Sequence, residues 1–124
     1  PCFSDVCLGG IFAYSKSIKQ NLLKVPSNIL EKHGAVSSVV AKAMANKTRQ
    51  LFNSDWSIAV SGIAGPSGGS KSKPVGLVKI FISGKTAQES IQENFGPHRE
   101  RDYIQKLSVV RALDRLRLLL LMQS

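Results

Sequence analysis

The sequence WSIAVSGIAGPSGGS, at residues 56–70, joins an apolar stretch to a run of small residues. Its first part, Trp56 to Val60, is rich in β-forming residues and follows turn-forming polar residues, so it predicts a central strand. Its second part holds four glycines within eight positions, 62–69, and glycines let backbone N–H groups approach a ligand closely. The stretch therefore predicts a strand that leads into an anion-binding loop.

Two further strands are predicted downstream of this loop. Val75 to Ile82 is a nearly continuous apolar run. Ser90 to Phe95 alternates loosely and carries a charge, as expected of an edge strand. Because only a short segment around Gly84 separates them, we expect the two strands to pair as a hairpin.

A long helix is predicted from about Arg99 to Met122. Its apolar residues recur at helical spacing and should dock on the sheet. They are Val109, Leu113, Leu116 and Leu120. The basic residues of a helix usually form its solvated face, so the same interpretation places Arg111, Arg115 and Arg117 in solvent.

Upstream of the central strand, the pattern predicts one short strand and one helix. Gly9 to Tyr14 is a compact apolar run that follows a Gly-Gly pair, which indicates a short buried strand. A helix from Ser17 should then end before Pro26, since proline lacks the backbone donor that continues a helix.

Two more helices should follow Pro26. Ser27 can cap a short helix that Gly34 closes, and Ser37 or Ser38 can cap a longer one. The longer helix has a stripe of side chains at helical spacing. They are Val40, Met44, Lys47 and Leu51.

Together these elements predict one domain, residues 1–124, of the α/β class. Strands that alternate with helices at first, followed by a hairpin and a closing helix, favour a three-layer α/β/α fold with a mixed sheet. The length and the 43% hydrophobic composition fit one packed domain.

Composition also limits the classes of binding partner and cofactor that the chain is expected to have. The 17 Lys and Arg against 8 Asp and Glu give a charge of +9, which attracts anions but does not say which ones. Nucleic acid is not favoured because aromatics are 6% and no groove-reading motif is present. No apolar run is long enough for a membrane span. The two cysteines, Cys2 and Cys7, lack metal-ligand spacing, so we expect reduced thiols in a cytoplasmic protein and no metal or cofactor.

The candidate site residues fall in three places. The glycine-rich loop has neither Walker nor dinucleotide-fold spacing, so a purely structural turn remains an alternative. Tyr14 and Lys19 lie five positions apart where a strand meets a helix, and an amine beside a phenol can take a proton from a hydroxyl nucleophile. The alternative for this pair is a core-edge aromatic and a surface lysine. Arg99 is the preferred phosphate ligand, because it stands where the last helix is expected to begin.

In this order, the segments resemble the CinA carboxy-terminal domain family. Residues 9–19, GGIFAYSKSIK, are similar to its G-G-x-x-x-Y-S-N-x-x-K motif, and residues 33–37, HGAVS, match its turn of that sequence. Residues 61–69 are similar to its [ST]-G-I-A-G-P-x-G-G loop, and residues 73–76 match K-P-V-G. The similarity runs from about residue 4 to near residue 118.

The resemblance implies hydrolysis of the carboxamide of nicotinamide mononucleotide, which yields nicotinate mononucleotide and ammonia. A serine would attack the amide, and Tyr14 and Lys19 would handle its proton. The loop would line the nucleotide pocket, with Arg99 near the phosphate. The loop residues assigned to substrate are Ser61, Gly62, Ala64, Gly65, Pro66, Gly68 and Gly69.

Two departures from the family pattern qualify this expectation. The family's nucleophile lies in an E-S-C-T-G-G segment upstream of the tyrosine, and nothing before Gly9 matches it. We therefore expect a domain cut at its front that lacks its first strand and helix and is inactive by itself. Lys16 also replaces the usual asparagine. A noncatalytic nucleotide-binding or interaction module is the alternative function, and the oligomeric state is left open, a homo-oligomer included.

Overall fold

The structure is a computed structural model that describes residues 3–123. Three strands and five helices are present among these residues. The helices are α1 Phe3–Val6, α2 Lys16–Asn21, α3 Ser27–His33, α4 Ser38–Phe52 and α5 Arg101–Met122. The strands are β1 Trp56–Gly62, β2 Leu77–Gly84 and β3 Gln88–Asn94.

The three strands form one antiparallel sheet in the order β1-β2-β3. The predicted hairpin around Gly84 is confirmed, and the N–H of Gly84 donates to the carbonyl of Ala87 over 2.9 Å. The central strand is β2 and not β1, so the prediction for Trp56–Val60 was wrong in its position. The physical reason is burial: β2 is buried almost throughout, whereas β1 alternates and ends exposed.

The expected three-layer arrangement is confirmed. Successive residues of a strand point to opposite faces, and on β2 the side chains of Ile80 and Ile82 pack with α5 while Phe81 packs with α4. Helices therefore cover both faces of the sheet, which places two apolar clusters on either side of it. All the described strands are antiparallel, so the parallel pairing of the expected mixed sheet is not among them.

The rotation of α5 about its axis differs from the prediction. Its buried residues are Ile104, Ser108, Ala112 and Leu119. Of the predicted apolar stripe, Val109, Leu113 and Leu120 are exposed, and only Leu116 packs against the core. The small side chains of Ser108 and Ala112 let the helix approach the sheet closely, which explains the orientation.

Two arginines of α5 pair with carboxylates of the sheet. Arg111 remains exposed, as expected of a solvated face, whereas Arg115 is half-buried, so the expectation was wrong for Arg115. Arg111 bonds Glu93 and Arg115 bonds Glu89, each with an Nε to Oε1 distance of 2.6 Å, and both carboxylates belong to β3. Arg117, by contrast, pairs with Asp114 on the exposed surface of its own helix. The edge strand thus supplies the carboxylates that pair with two arginines of α5.

The segment predicted as a first strand, Gly9 to Tyr14, forms no strand. Its side chains alternate, since Ile11 and Ala13 are partly buried against the core while Phe12 and Tyr14 are exposed. The prediction of a short buried strand was therefore wrong in both respects: the segment has no ladder hydrogen bonds to a neighbour, and none of its residues is fully buried. The β1 edge of the sheet carries no ladder with this segment.

The helix ends follow the predicted chemistry in part. Ser37 caps α4 and accepts from the N–H of Val40 over 3.2 Å, as expected. Gly34 ends α3 with a φ of 77°, again as expected. The cap of α2 is Ser15, two residues before the predicted start, and the cap position of α3 is Pro26. Ser27 therefore does not cap α3, because the φ of Pro26 already suits entry into a helix.

The stripe on α4 is shorter than predicted. Val40 and Met44 are buried and Lys47 is half-buried, but Leu51 is 47% exposed at the far end. The core on this face ends before the last turn of the helix, so the final apolar position has nothing to cover it.

Candidate functional site

The glycine-rich loop leaves the end of β1 and is anchored where it begins and ends. The N–H of Ile63 donates to Leu77 over 2.9 Å, and the N–H of Gly76 donates to Ile63 over 2.7 Å. These two hydrogen bonds close the base of the loop, so residues 64–75 form a loop that projects from the end of the sheet.

Individual glycines in the loop differ in what they do. A Cβ at Gly65 would lie 2.5 Å from Cγ1 of Val75, and one at Gly69 would lie 2.8 Å from the Val75 nitrogen. Gly68 has a φ of +93°, and a Cβ there would make only an ordinary contact, 3.9 Å from Cγ2 of Ile63. The purely structural alternative therefore accounts for Gly65 and Gly69 by close packing and for Gly68 by its positive φ. Gly68 is also exposed, so a ligand could approach its backbone.

Two side chains tie the turn at residues 33–37 to the glycine-rich loop. Oγ of Ser61 donates to the carbonyl of Ala35 over 2.7 Å, and Nζ of Lys73 donates to the carbonyl of His33. Three of the sequence motifs, at residues 33–37, 61–69 and 73–76, thus meet in one place. The hydroxyl of Ser61 therefore has a structural role, because its hydrogen bond to Ala35 joins two of these motifs.

A cavity of about 330 Å³ lies between the loop and the segment that precedes α5. Pro66 lines one side of it. The other side is lined by Pro97, His98, Arg99, Glu100 and Arg101. The structure therefore brings the predicted loop and the predicted phosphate ligand to the same cavity, although 33 positions separate Pro66 from Arg99 in the chain.

Arg99 lies in the approach to α5, because the helix starts two residues later than predicted. It begins at Arg101 with Glu100 in the cap position, since the Gly96-Pro97 turn delays the first helical residue. Nε of Arg99 donates to the carbonyl of Phe95 over 3.0 Å, and its guanidinium carbon lies 5.1 Å from the ring centroid of Tyr103. These contacts hold the guanidinium at the cavity wall.

Sequence reasoning missed Arg101. Its Nη1 donates to the carbonyl of Gly65 over 3.3 Å and so joins the first residue of α5 to the middle of the loop. The arginine pair at positions 99 and 101 was the only available signal, and it did not indicate which of the two would reach the loop.

Lys19 is buried, with 8% of its surface exposed, so the surface alternative for this residue was wrong. Its Nζ donates to the carbonyl of Ala13 over 2.6 Å. Burial lowers the pKa of Lys19 from its ordinary value of 10.5, because desolvation penalises the charged amine. A lysine with a lowered pKa holds more of the neutral form that accepts a proton.

Tyr14 contrasts with its proposed partner. Its side chain is 85% exposed, so it is not the core-edge aromatic of the alternative interpretation. The carbonyl that Lys19 bonds belongs to the residue just before Tyr14, which places the two residues in the same local turn.

Residues 3–123, the part of the chain that the structure describes, offer neither a metal site nor a membrane span. Within them, no cluster of three or more His, Cys, Asp or Glu side chains has the arrangement of a metal site. No helix in this part of the chain combines the length and apolarity that crossing a membrane requires. Cys7 is a free, exposed thiol, and Cys2 lies outside the described residues.

A sequence model of the CinA C-terminal domain matches residues 1–120. The chain belongs to the CinA C-terminal domain family. The resemblance inferred from the four motifs is thereby confirmed.

Curated relatives of this CinA domain carry the same family name. The CinA-like protein of Prochlorococcus marinus (strain SARG) is 62% identical over 124 residues, which is all of this chain and 29% of that protein. The CinA-like protein of Parasynechococcus marenigrum is 56% identical over 124 residues, or 30% of its length. The chain thus spans less than a third of these relatives.

Solved structures share the fold of this CinA domain. Competence/damage inducible protein CihA from Agrobacterium tumefaciens superposes with a TM-score of 0.80 at 33% identity, covering 84% of this chain and 63% of that one. A competence or damage-inducible protein from Enterobacter asburiae gives 0.78 at 29% identity, covering 84% and 64%. The α/β class is therefore shared by homologues and not only predicted from the pattern.

Proposed function

We propose that this domain takes part in hydrolysing the carboxamide of nicotinamide mononucleotide to nicotinate mononucleotide and ammonia, in the cytoplasm. The observation that carries the proposal is the cavity of about 330 Å³ between the glycine-rich loop and the Arg99–Arg101 segment. Pro66 of the loop, the guanidinium groups of Arg99 and Arg101 and the start of a helix meet at this cavity.

Two guanidinium groups and one carboxylate, that of Glu100, line this cavity, so its net positive charge favours an anion such as a phosphate monoester. The N-terminal end of α5 carries a partial positive charge, and 22 residues give that helix its full dipole. Arg99 uses Nε for the Phe95 carbonyl, so the terminal nitrogens of its guanidinium can donate to phosphate oxygens. The net charge of +9 adds long-range attraction for an anion.

Lys19 supports the catalytic part of the proposal, the hydrolysis itself, as distinct from binding of the mononucleotide. When a serine hydroxyl attacks the carboxamide carbon, its proton must be taken up, and the leaving group must gain a proton to depart as ammonia. A buried amine whose pKa is lowered can do both in turn. Water then cleaves the acyl-enzyme, which restores the serine and releases the carboxylate product.

A binding module without catalysis is the second candidate. Two observations favour it: Tyr14 is largely exposed, and the ammonium of Lys19 is engaged by the Ala13 carbonyl. Both candidates require that the cavity bind a mononucleotide. The hydrolase requires Lys19 for turnover, whereas the binding module has no turnover. An assay of ammonia release therefore distinguishes the two candidates.

The experiment replaces the equivalent residues of the 62% identical Prochlorococcus protein with this chain and measures ammonia release from nicotinamide mononucleotide. Turnover comparable to that of the unmodified relative supports the hydrolase. The same assay on the 124-residue chain alone should show negligible turnover, because no residue of the chain matches the family's nucleophile segment.

Calorimetry on the chain alone tests the binding half. Binding of the mononucleotide, together with a chimera that does not release ammonia while the relative does, favours the binding module. If the chain does not bind the mononucleotide and the chimera does not turn over, both candidates are excluded.

A further inference from the structure

The first residue of α5 is bonded to the glycine-rich loop 36 positions away. Nη1 of Arg101 donates to the carbonyl oxygen of Gly65 over 3.3 Å in a partly buried setting. Both residues flank the cavity, since Arg101 and Pro66, which follows Gly65, line it. This bond connects its two walls.

The carbonyl that Arg101 bonds belongs to the most constrained part of the loop. Gly65 has a φ of +81°, and an added Cβ would lie 2.5 Å from Val75, so no other residue adopts this geometry without a shift. On its far side the loop is exposed from Pro66 to Ser72. Arg101 therefore contacts the last firmly packed residue before the exposed part of the loop.

We propose that Arg101 is a positioning residue for the mononucleotide site: it holds the Gly65 carbonyl and thereby sets where the exposed part of the loop stands relative to Arg99. The inference rests on the proposed function for its ligand. Its role differs from that of Arg99, whose guanidinium bonds its own approach segment at Phe95 and not the loop.

Arginine suits this position because of its shape. Its planar fork offers five N–H donors, so one can hold the Gly65 carbonyl while others remain for a phosphate oxygen or water. Lysine keeps the charge and one hydrogen bond but not the fork, and glutamine removes the charge and shortens the reach. Comparing arginine, lysine and glutamine at position 101 therefore distinguishes the effect of the hydrogen bond to the loop from the effect of the positive charge.

The test compares the chain with Arg101→Gln, Arg101→Lys and the control Arg117→Gln, which removes an equal charge from the exposed Asp114 pair of the same helix. Hydrogen exchange of segment 62–70 reports on the loop, and calorimetry reports on binding of nicotinamide mononucleotide. For Arg101→Gln we expect exchange of the loop to rise about tenfold and affinity to fall about tenfold, the scale of one charge-assisted hydrogen bond. Arg101→Lys should show smaller changes in loop exchange and in affinity than Arg101→Gln. The control should change neither the exchange nor the affinity.

Unchanged exchange of the loop in Arg101→Gln would overturn the proposal even if affinity fell, because charge alone would then explain the loss. A looser loop with unchanged affinity would overturn it as well. If the unmodified chain does not bind the mononucleotide, the proposed function is contradicted, and the role of Arg101 as a positioning residue for that ligand is contradicted with it. If it binds and Arg101→Gln binds equally well, only the role of Arg101 is lost.

Discussion

The ammonium nitrogen of Lys19 lies 2.6 Å from the carbonyl oxygen of Ala13 and donates a hydrogen bond to it. The side chain is buried on a short helix whose cap is Ser15, at the point where the chain turns from the extended segment 9–14. One carbonyl replaces only part of the hydration that the ammonium loses, which explains why its pKa is lowered.

The first prediction concerns stability against pH. Unfolding returns Lys19 to its ordinary pKa of 10.5, above the lowered value in the folded chain. Between those two values the unfolded state binds the proton and the folded state does not, so the contribution of Lys19 to the free energy of unfolding rises with pH there. Below the folded pKa both states are protonated and the burial penalty is constant.

Urea unfolding of the chain and of Lys19→Met from about pH 7 to pH 10.5 measures this contribution. The chain should gain stability relative to the variant as the pH approaches 10.5 from below. Lys42→Met, at an exposed position of α4, is the matched control. Parallel stability curves for the chain and Lys19→Met would contradict the lowered pKa.

The second prediction concerns turnover. In the chimera with the Prochlorococcus relative, Lys19→Ala should reduce ammonia release about 100-fold or more, the usual scale for lost acid–base assistance, while the substrate still binds. Lys16→Ala, which removes an exposed neighbouring lysine, is the control. Full turnover in Lys19→Ala would remove Lys19 from the mechanism and favour the binding module.

The third prediction concerns the phosphate ligand. Arg99→Ala should weaken binding of nicotinamide mononucleotide by about 1.5–3 kcal/mol, as expected when a charge-assisted contact is removed. The nucleoside that lacks the phosphate should bind the chain and Arg99→Ala with similar affinity, because Arg99 would contact only the phosphate. Calorimetry with both ligands checks this, and an unchanged dissociation constant for the nucleotide would exclude Arg99 from the site.

The fourth prediction concerns the base of the loop. Gly76 has a φ of +95°, and a Cβ there would lie 2.4 Å from the carbonyl oxygen of Gly96, a backbone atom that cannot move aside easily. Gly76→Ala should therefore lower the free energy of unfolding by about 2–4 kcal/mol, from backbone strain and overlap together. Gly10→Ala, where an added Cβ meets nothing within 4 Å, should change it little. Equal stability of the two variants by urea unfolding would show that the chain relaxes around position 76.

Several features of the fold could be predicted because they depend on residues close in sequence. The hairpin at Gly84 follows from two β-rich segments separated by a short turn, and the cap at Ser37 follows from a serine just before an apolar helical stripe. The strand that leads into the glycine-rich loop was predicted for the same reason. The family was identified from four motifs in register, and its model matches residues 1–120.

Tertiary contacts decided the rest, because they join residues that are distant in the chain. Periodicity alone gave α5 a stripe centred on Leu113, but the helix turns Ala112 to the sheet because small side chains allow close approach there. Arg111 and Arg115 then pair with carboxylates on β3. Apolar segments predict burial but not the strand that pairs with them, so the order of β1 and β2 was missed.

The same division applies to the candidate site. The residue types at positions 19, 65 and 99 were singled out from the sequence, since amines, glycines and guanidinium groups have chemistry that their local context indicates. Only the tertiary structure showed that Lys19 is buried, because its burial depends on packing that no spacing encodes. Likewise, the bond between Arg101 and Gly65 spans 36 positions, and only folding brings a donor and an acceptor that far apart within hydrogen-bonding distance.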